Sequence, residues 1–127
     1  MNPRQIGLMN QRKTVKFVLE NFYKYGVIPH VSYDKNRKKN LSSPRVYNVG
    51  VGHFHGDIFD LFDIQTMPDS NEYPVYLIQV KSGSFKLSNT NDLIYYNDLC
   101  EFATPDSVKK ELHIWQKGAK LPIILPC

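Results

Sequence analysis

Two apolar runs, each broken by polar side chains near its end, constrain this chain more than any other feature. The first is Asp57-Ile58-Phe59-Asp60-Leu61-Phe62-Asp63-Ile64-Gln65-Thr66, and the second is Pro74-Val75-Tyr76-Leu77-Ile78-Gln79-Val80-Lys81. Apolar residues at 58, 59, 61, 62 and 64 are too dense for a half-exposed strand and suit one buried on both faces. Pro68-Asp69-Ser70-Asn71-Glu72 between the runs is turn chemistry, so the two segments predict a hairpin at the centre of a sheet. A sheet buried on both faces needs helices to cover it.

The flanking sequence supplies them. Between Asn10 and Tyr25, Val15, Val18, Leu19 and Phe22 recur at helical spacing, with Arg12, Lys13, Lys16 and Lys24 on other faces and Gly26 as the stop. Thr90 or Asn91 caps a second helix over Asp92–Phe102, which turns Leu93, Ile94, Leu99 and Cys100 inward. Val27–Tyr33 has strand composition and Asp34–Ser43 is a polar, solvated loop. Arg45–Val51 alternates like a strand and runs into Gly52-His53-Phe54-His55-Gly56. Glu111–Trp115 and Leu121–Leu125 form the arms of a last hairpin turned at Lys117-Gly118. This order of helix, strands, helix and two strands predicts an α/β fold, and 127 residues, 42% of them hydrophobic, make 1–127 one domain with a single core.

Sixteen Lys and Arg against twelve Asp and Glu give a net charge of +4. With several acids gathered at one site, the remaining surface is more basic than that total, which favours a polyanionic partner. Cys100 and Cys127 are the only cysteines and show neither zinc spacing nor a disulfide framework, so a reducing setting is expected. No signal-peptide core and no apolar run near the roughly 18 residues of a membrane span is present, which predicts a soluble cytoplasmic protein with no membrane partner.

Residues two apart in a strand share a face, so Gln79 and Lys81 point the same way and Asp63 can meet them across the hairpin. That trio suits phosphodiester hydrolysis, which uses a hard cation such as Mg²⁺ or Mn²⁺ held by oxygen ligands. Asp63 offers a charged oxygen, Gln79 an amide oxygen and Val80 a carbonyl, while Lys81 orients or helps deprotonate water, or stabilises the phosphate. The plainer alternatives are an Asp63 bonded to turn amides, a Lys81 that only pairs with it, and a Gln79 that holds a backbone group. Asp57, six residues before Asp63, shares its parity, whereas Asp60 does not. Pro68-Asp69 belongs to the turn, and His53 and His55 lack a third ligand for zinc. Ser82 and Lys86 follow the lysine and can touch a phosphate backbone. Lys35, Arg37, Lys38 and Lys39 either grip DNA or form a solvated face.

These residues resemble the PD-(D/E)xK nuclease superfamily, in which an aspartate ends one strand and Glu-x-Lys, Asp-x-Lys or sometimes Gln-x-Lys lies on the next. Asp57 to Asp63 followed by Leu77-Ile78-Gln79-Val80-Lys81 is most similar to the small Holliday-junction-resolvase-like branch of archaea and their viruses. Glu111-Leu112-His113-Ile114-Trp115 with Lys117-Gly118 is similar to the closing strands of that branch. The resemblance implies a restriction-endonuclease-like mixed central sheet flanked by helices. It also implies metal-dependent endonuclease activity with Mg²⁺ or Mn²⁺, selectivity for branched DNA, and a homodimer whose two sites face the two strands to be cut. Active members of the branch add a first-helix glutamate as a metal ligand, but here Gln11-Arg12-Lys13-Thr14-Val15 occupies that region. Either Glu20 substitutes, Asp57 takes over, or the ligand is missing, and Gln79 removes a second negative charge. Two rival readings follow: a catalytically degenerate DNA-binding module, and a nuclease acting on single-stranded DNA or DNA ends.

Overall fold

Helix α1 (Pro3–Glu20) begins earlier than the apolar spacing indicates, because its first turn is set by capping. The Asn2 side chain accepts the Gln5 amide at 2.9 Å, the Gln5 side chain accepts the Asn2 amide at 3.1 Å, and Pro3 occupies the first helical position. The helix also ends before Tyr25. Asn21 Nδ2 donates to the Phe17 carbonyl at 2.7 Å, taking an acceptor the helix would use itself, and a separate turn α2 (Phe22–Tyr25) follows. Gly26 closes α2 at φ +69°, where a Cβ would run into the Tyr73 ring.

The computed structural model describes residues 2–48 and 62–127. After the helices come β1 (His30–Tyr33), β2 (Lys39–Ser42), β3 (Val46–Asn48), β4 (Ile64–Thr66) and β5 (Val75–Ser82). Helix α3 (Thr90–Glu101), β6 (Val108–Trp115) and β7 (Ile123–Pro126) complete the chain. A separate antiparallel ribbon pairs β1 with β2, and the main sheet has the order β3-β4-β5-β6-β7. Its β5–β6 pair is parallel, with α3 as the crossover, and the other neighbours are antiparallel. The fold is thus a mixed α/β domain.

Both faces of β5 are covered, as its unbroken apolar run requires. On one face Val18 of α1 packs with Tyr25, Ile64, Ile78, Val80 and Trp115. On the other, Leu99 of α3 packs with Phe62 and Leu77, while Tyr95 also adjoins Phe85, Leu112 and Ile114. Ile78 is fully buried, and its truncation to Ala carries a cost of about 2–5 kcal/mol.

Several expectations need correction. Leu93 and Ile94 of α3 are exposed at 41% and 53%, because Tyr95 and Leu99, one turn apart, take the inward stripe. Residues 39–42 of the expected polar loop form strand β2. Cys100 and Cys127 are joined in a disulfide with Cα atoms 5.1 Å apart, a tertiary pairing that their sequence spacing does not signal. The bond removes the basis on which a reducing setting was expected. Among the described residues no helix is long and apolar enough to cross a membrane.

Candidate active site

Asp63 lies at a bend immediately before β4 rather than within a continuous strand. Phe62 packs on the α3 side and Ile64 on the α1 side, although two residues apart in a regular strand would share a face. The bend turns the Asp63 side chain toward β5. Its backbone amide donates to the Ile78 carbonyl at 3.0 Å, and its Oδ2 accepts the Val80 amide at 3.0 Å. A carboxylate thus takes the place of the ladder carbonyl that β4 would otherwise present. Because a strand residue sends its N–H and C=O to the same side, the Val80 carbonyl also points to the Asp63 edge.

Gln79 and Lys81 register opposite Leu112 and Ile114 on the face covered by α3. Gln79 is 8% exposed, and its Oε1 is buried without a hydrogen-bond partner. An unsatisfied buried oxygen is costly and calls for a donor or a cation. Lys81 Nζ sits 4.3 Å from the centroid of the Tyr95 ring, a cation–π contact. Tyr95 is held against Phe85, ring centroids 6.0 Å apart and nearly perpendicular.

The electrostatics tie these groups together. Burial pushes the Asp63 carboxyl above its ordinary pKa, against the opposing effects of the Val80 hydrogen bond and the Lys81 charge. Burial, followed by the Asp63 charge, pushes the Tyr95 phenol up to about 12. The four ion pairs among the described residues do not join Asp63 to Lys81, so the lysine is held by the ring rather than spent on the carboxylate.

The structure therefore gathers Asp63, Gln79, Val80 and Lys81 at one end of β5, and it adds Tyr95, which sequence reasoning missed. The only signal for Tyr95 was its spacing of four from Leu99. Glu20 is not gathered there: it is exposed on α1, against the opposite face, and pairs with Lys16 at 3.9 Å. Asp57, with Asp60, His53 and His55, lies outside the described residues. Near Val80, Lys81 and Ser82, α1 presents Pro3, Ile6, Gly7 and the buried amide Asn10, none of them an acid. Asp69 behaves as a turn residue, accepting the Ile28 amide at 2.8 Å and pairing with Arg45 at 2.9 Å.

Oxygen donors without sulfur or imidazole suit a hard divalent cation, and the orphaned Gln79 Oε1 fits one. Among the described residues no three of His, Cys, Asp and Glu are grouped to hold a metal, so Asp63 is the single charged ligand that they supply. Ser82 Oγ is 2.9 Å from Ser84 Oγ, and the Lys86 backbone amide donates to Asp92 at 2.9 Å while its side chain is exposed.

Lys35, Arg37, Lys38 and Lys39 stand together at the exposed end of the β1–β2 ribbon. This end is an ordered turn: Asp34 Oδ1 accepts the Asn36 and Lys38 amides at 2.8 and 2.9 Å, and Arg37 takes φ +61°. Searched against models of protein families, curated proteins and solved structures, the chain matches none.

Proposed function

We propose that the protein is a metal-dependent DNA endonuclease with a restriction-endonuclease-like fold, selective for branched DNA in the manner of the small Holliday-junction resolvases. The observation that carries the reading is the convergence of the Asp63 carboxylate, the unpartnered Gln79 oxygen and the ring-held Lys81 at one end of β5. Asp63, Gln79 and the Val80 carbonyl would hold Mg²⁺ or Mn²⁺, which would supply charge neutralisation at the phosphate and activation of water. Mg²⁺ keeps several waters of its own, so three protein oxygens are a sufficient set. Asp57 remains a candidate for a further carboxylate.

Lys81 presents a fixed cation to the non-bridging oxygens as the water oxygen bonds to phosphorus and the P–O bond to the leaving sugar breaks. Tyr95 positions that cation. The β1–β2 ribbon carries Lys35, Arg37, Lys38 and Lys39 on a two-stranded arm of the kind a DNA major groove admits. Ser82 and Lys86 extend the polar surface beyond the site. The exposed Leu93 and Ile94 of α3 are the apolar surface on which a homodimer would close, whereas Trp115, 4% exposed, is not available for one.

Cleavage of a labelled four-way junction beside matched duplex and single-stranded DNA tests the reading. Metal-dependent cutting of the junction, lost in Asp63→Ala and Lys81→Ala, is expected. Junction binding that persists in EDTA without any cutting would instead favour a degenerate DNA-binding module, which the single charged ligand among the described residues supports. Preferential cutting of the single strand would favour the rival substrate.

A further inference from the structure

At the C-terminal ends of the parallel strands β5 and β6 lies a cavity of about 740 Å³, covered by the first half of α1. Crevices outside the carboxyl ends of parallel strands are recurrent ligand sites, and this volume is within the small-molecule range. Ile6, Met9 and Trp115 form its apolar wall, and Lys13 and Lys117 bring positive charge to it. A smaller cavity of about 260 Å³ shares Ile6, Asn10 and Ser82 with the first and reaches Val80 and Lys81. The two adjoin along the α1-covered face of the sheet and together form a groove from the end of β5 to Trp115.

We propose that this groove, on the face of the sheet opposite the Lys81 ammonium, holds one unpaired nucleotide of the DNA. The inference rests on the nuclease reading and names a feature of its substrate. A nucleotide is a flat apolar ring with polar edges joined to an anion, and the groove offers the complement of each part. The base packs against Ile6 and Met9, with Trp115 as the buried floor beneath Lys13, whose ammonium lies 5.7 Å from the indole centroid, and the phosphate meets Lys13 and Lys117. Asn10, 4% exposed at the junction of the two cavities, carries an amide able both to donate to and to accept from a base edge. Gly83 keeps the strand ends close, since a Cβ there would lie 3.1 Å from the Gln116 Cα. A paired base in a duplex cannot enter such a crevice, whereas a base at a branch point or in a single strand can.

Trp115 is the chain's single tryptophan, so its fluorescence reports occupancy directly. Titration of the intact protein in EDTA with dAMP is expected to give a saturable change with a dissociation constant of about 1 mM or tighter. Deoxyadenosine and inorganic phosphate, each carrying part of the ligand, should bind at least tenfold more weakly, and the surface variant Lys117→Glu should weaken dAMP binding at least tenfold. Absence of a saturable change overturns the proposal, as does equal binding of deoxyadenosine together with an unaffected Lys117→Glu. A protein that binds dAMP but cuts no DNA sustains the nucleotide groove and overturns only the nuclease reading, and one that cuts DNA without binding dAMP does the reverse.

Discussion

Lys81 holds its ammonium 4.3 Å from the centroid of the Tyr95 ring, so a side chain from α3 positions the lysine of β5. Removing the ring should therefore cost activity without removing the lysine. Desolvated cation–π contacts contribute about 0.5–2 kcal/mol, or roughly 2- to 30-fold in rate if the contact acts in the transition state. Tyr95→Leu is expected to lower the cleavage rate within that range while Tyr95→Phe stays close to the parent. A Tyr95→Phe loss as large as that of Tyr95→Leu would assign the effect to the hydroxyl instead.

Asp63 is a group whose carboxyl is raised by burial, so the folded metal-free state binds its proton more readily than the unfolded chain does. Its ionisation then opposes folding at neutral pH, and the opposition fades as pH falls through the raised pKa. Asp63→Asn keeps an oxygen for the Val80 amide and should melt at a higher temperature than the parent at pH 7 in EDTA, with the gap narrowing in acid. Added Mg²⁺ or Mn²⁺ should raise the melting temperature of the parent and not of the variant.

Glu111 has the opposite sign. Burial pushes its carboxyl up, but hydrogen bonds from His113, Lys24 and Tyr25 outweigh that effect and hold it below the ordinary glutamate value. The contacts are 3.1 Å to His113, 2.5 Å to Lys24 and 2.8 Å to Tyr25, within a cluster that also joins Thr14 to Trp115 at 2.7 Å. Stability from this group is present above the ordinary glutamate pKa and is lost as pH falls through the lowered one. Glu111→Ala strands buried partners and is expected to destabilise by about 3–5 kcal/mol in denaturant melts at pH 7. Its effect should shrink in acid, where the Asp63→Asn gap also closes.

The Cys100–Cys127 bond ties the end of α3 to the strand edge at β7 across a sequence separation of 27. Loop-closure entropy for a loop of that size gives about 3.5 kcal/mol. Native protein should show no free thiol, and reduction should lower its denaturation midpoint by a corresponding amount. Two reactive thiols in the native protein would refute the pairing.

Phosphate binding by the β1–β2 ribbon should register in salt dependence. Each duplex phosphate that a lysine or arginine neutralises adds about 0.9 to the slope of log K against log salt. Alanine at Lys35, Arg37, Lys38 and Lys39 together is expected to flatten that slope by roughly one unit for every phosphate the ribbon no longer neutralises. An unchanged slope would remove the ribbon from the DNA interface.

The sequence disclosed those parts of the fold that depend on local pattern. Strand β5, the Lys117-Gly118 turn and the existence of α3 follow from apolar runs and turn residues. Gln79 and Lys81 could be placed on one face by their spacing alone. What stayed hidden depends on how distant segments meet. The inward stripe of α3 is set by Tyr95 meeting Lys81 and Phe85, not by its most apolar residues. Asp63 defeats a parity argument because its bend sends Phe62 and Ile64 to opposite faces. The Glu111 cluster was unreadable because its partners come from α1, α2 and β6, which meet only in the folded chain.

The parallel pairing of β5 with β6 has a kinetic consequence. Val75 meets Val108 only after the whole intervening segment, α3 included, has been looped back, so this pairing carries an entropic barrier that local hairpins do not. Gln79 and Lys81 lie on one partner of that pair, and Tyr95 sits within the loop. During refolding the lysine–ring contact should therefore mature with the slow phase, and recovery of cleavage should lag behind recovery of helical signal.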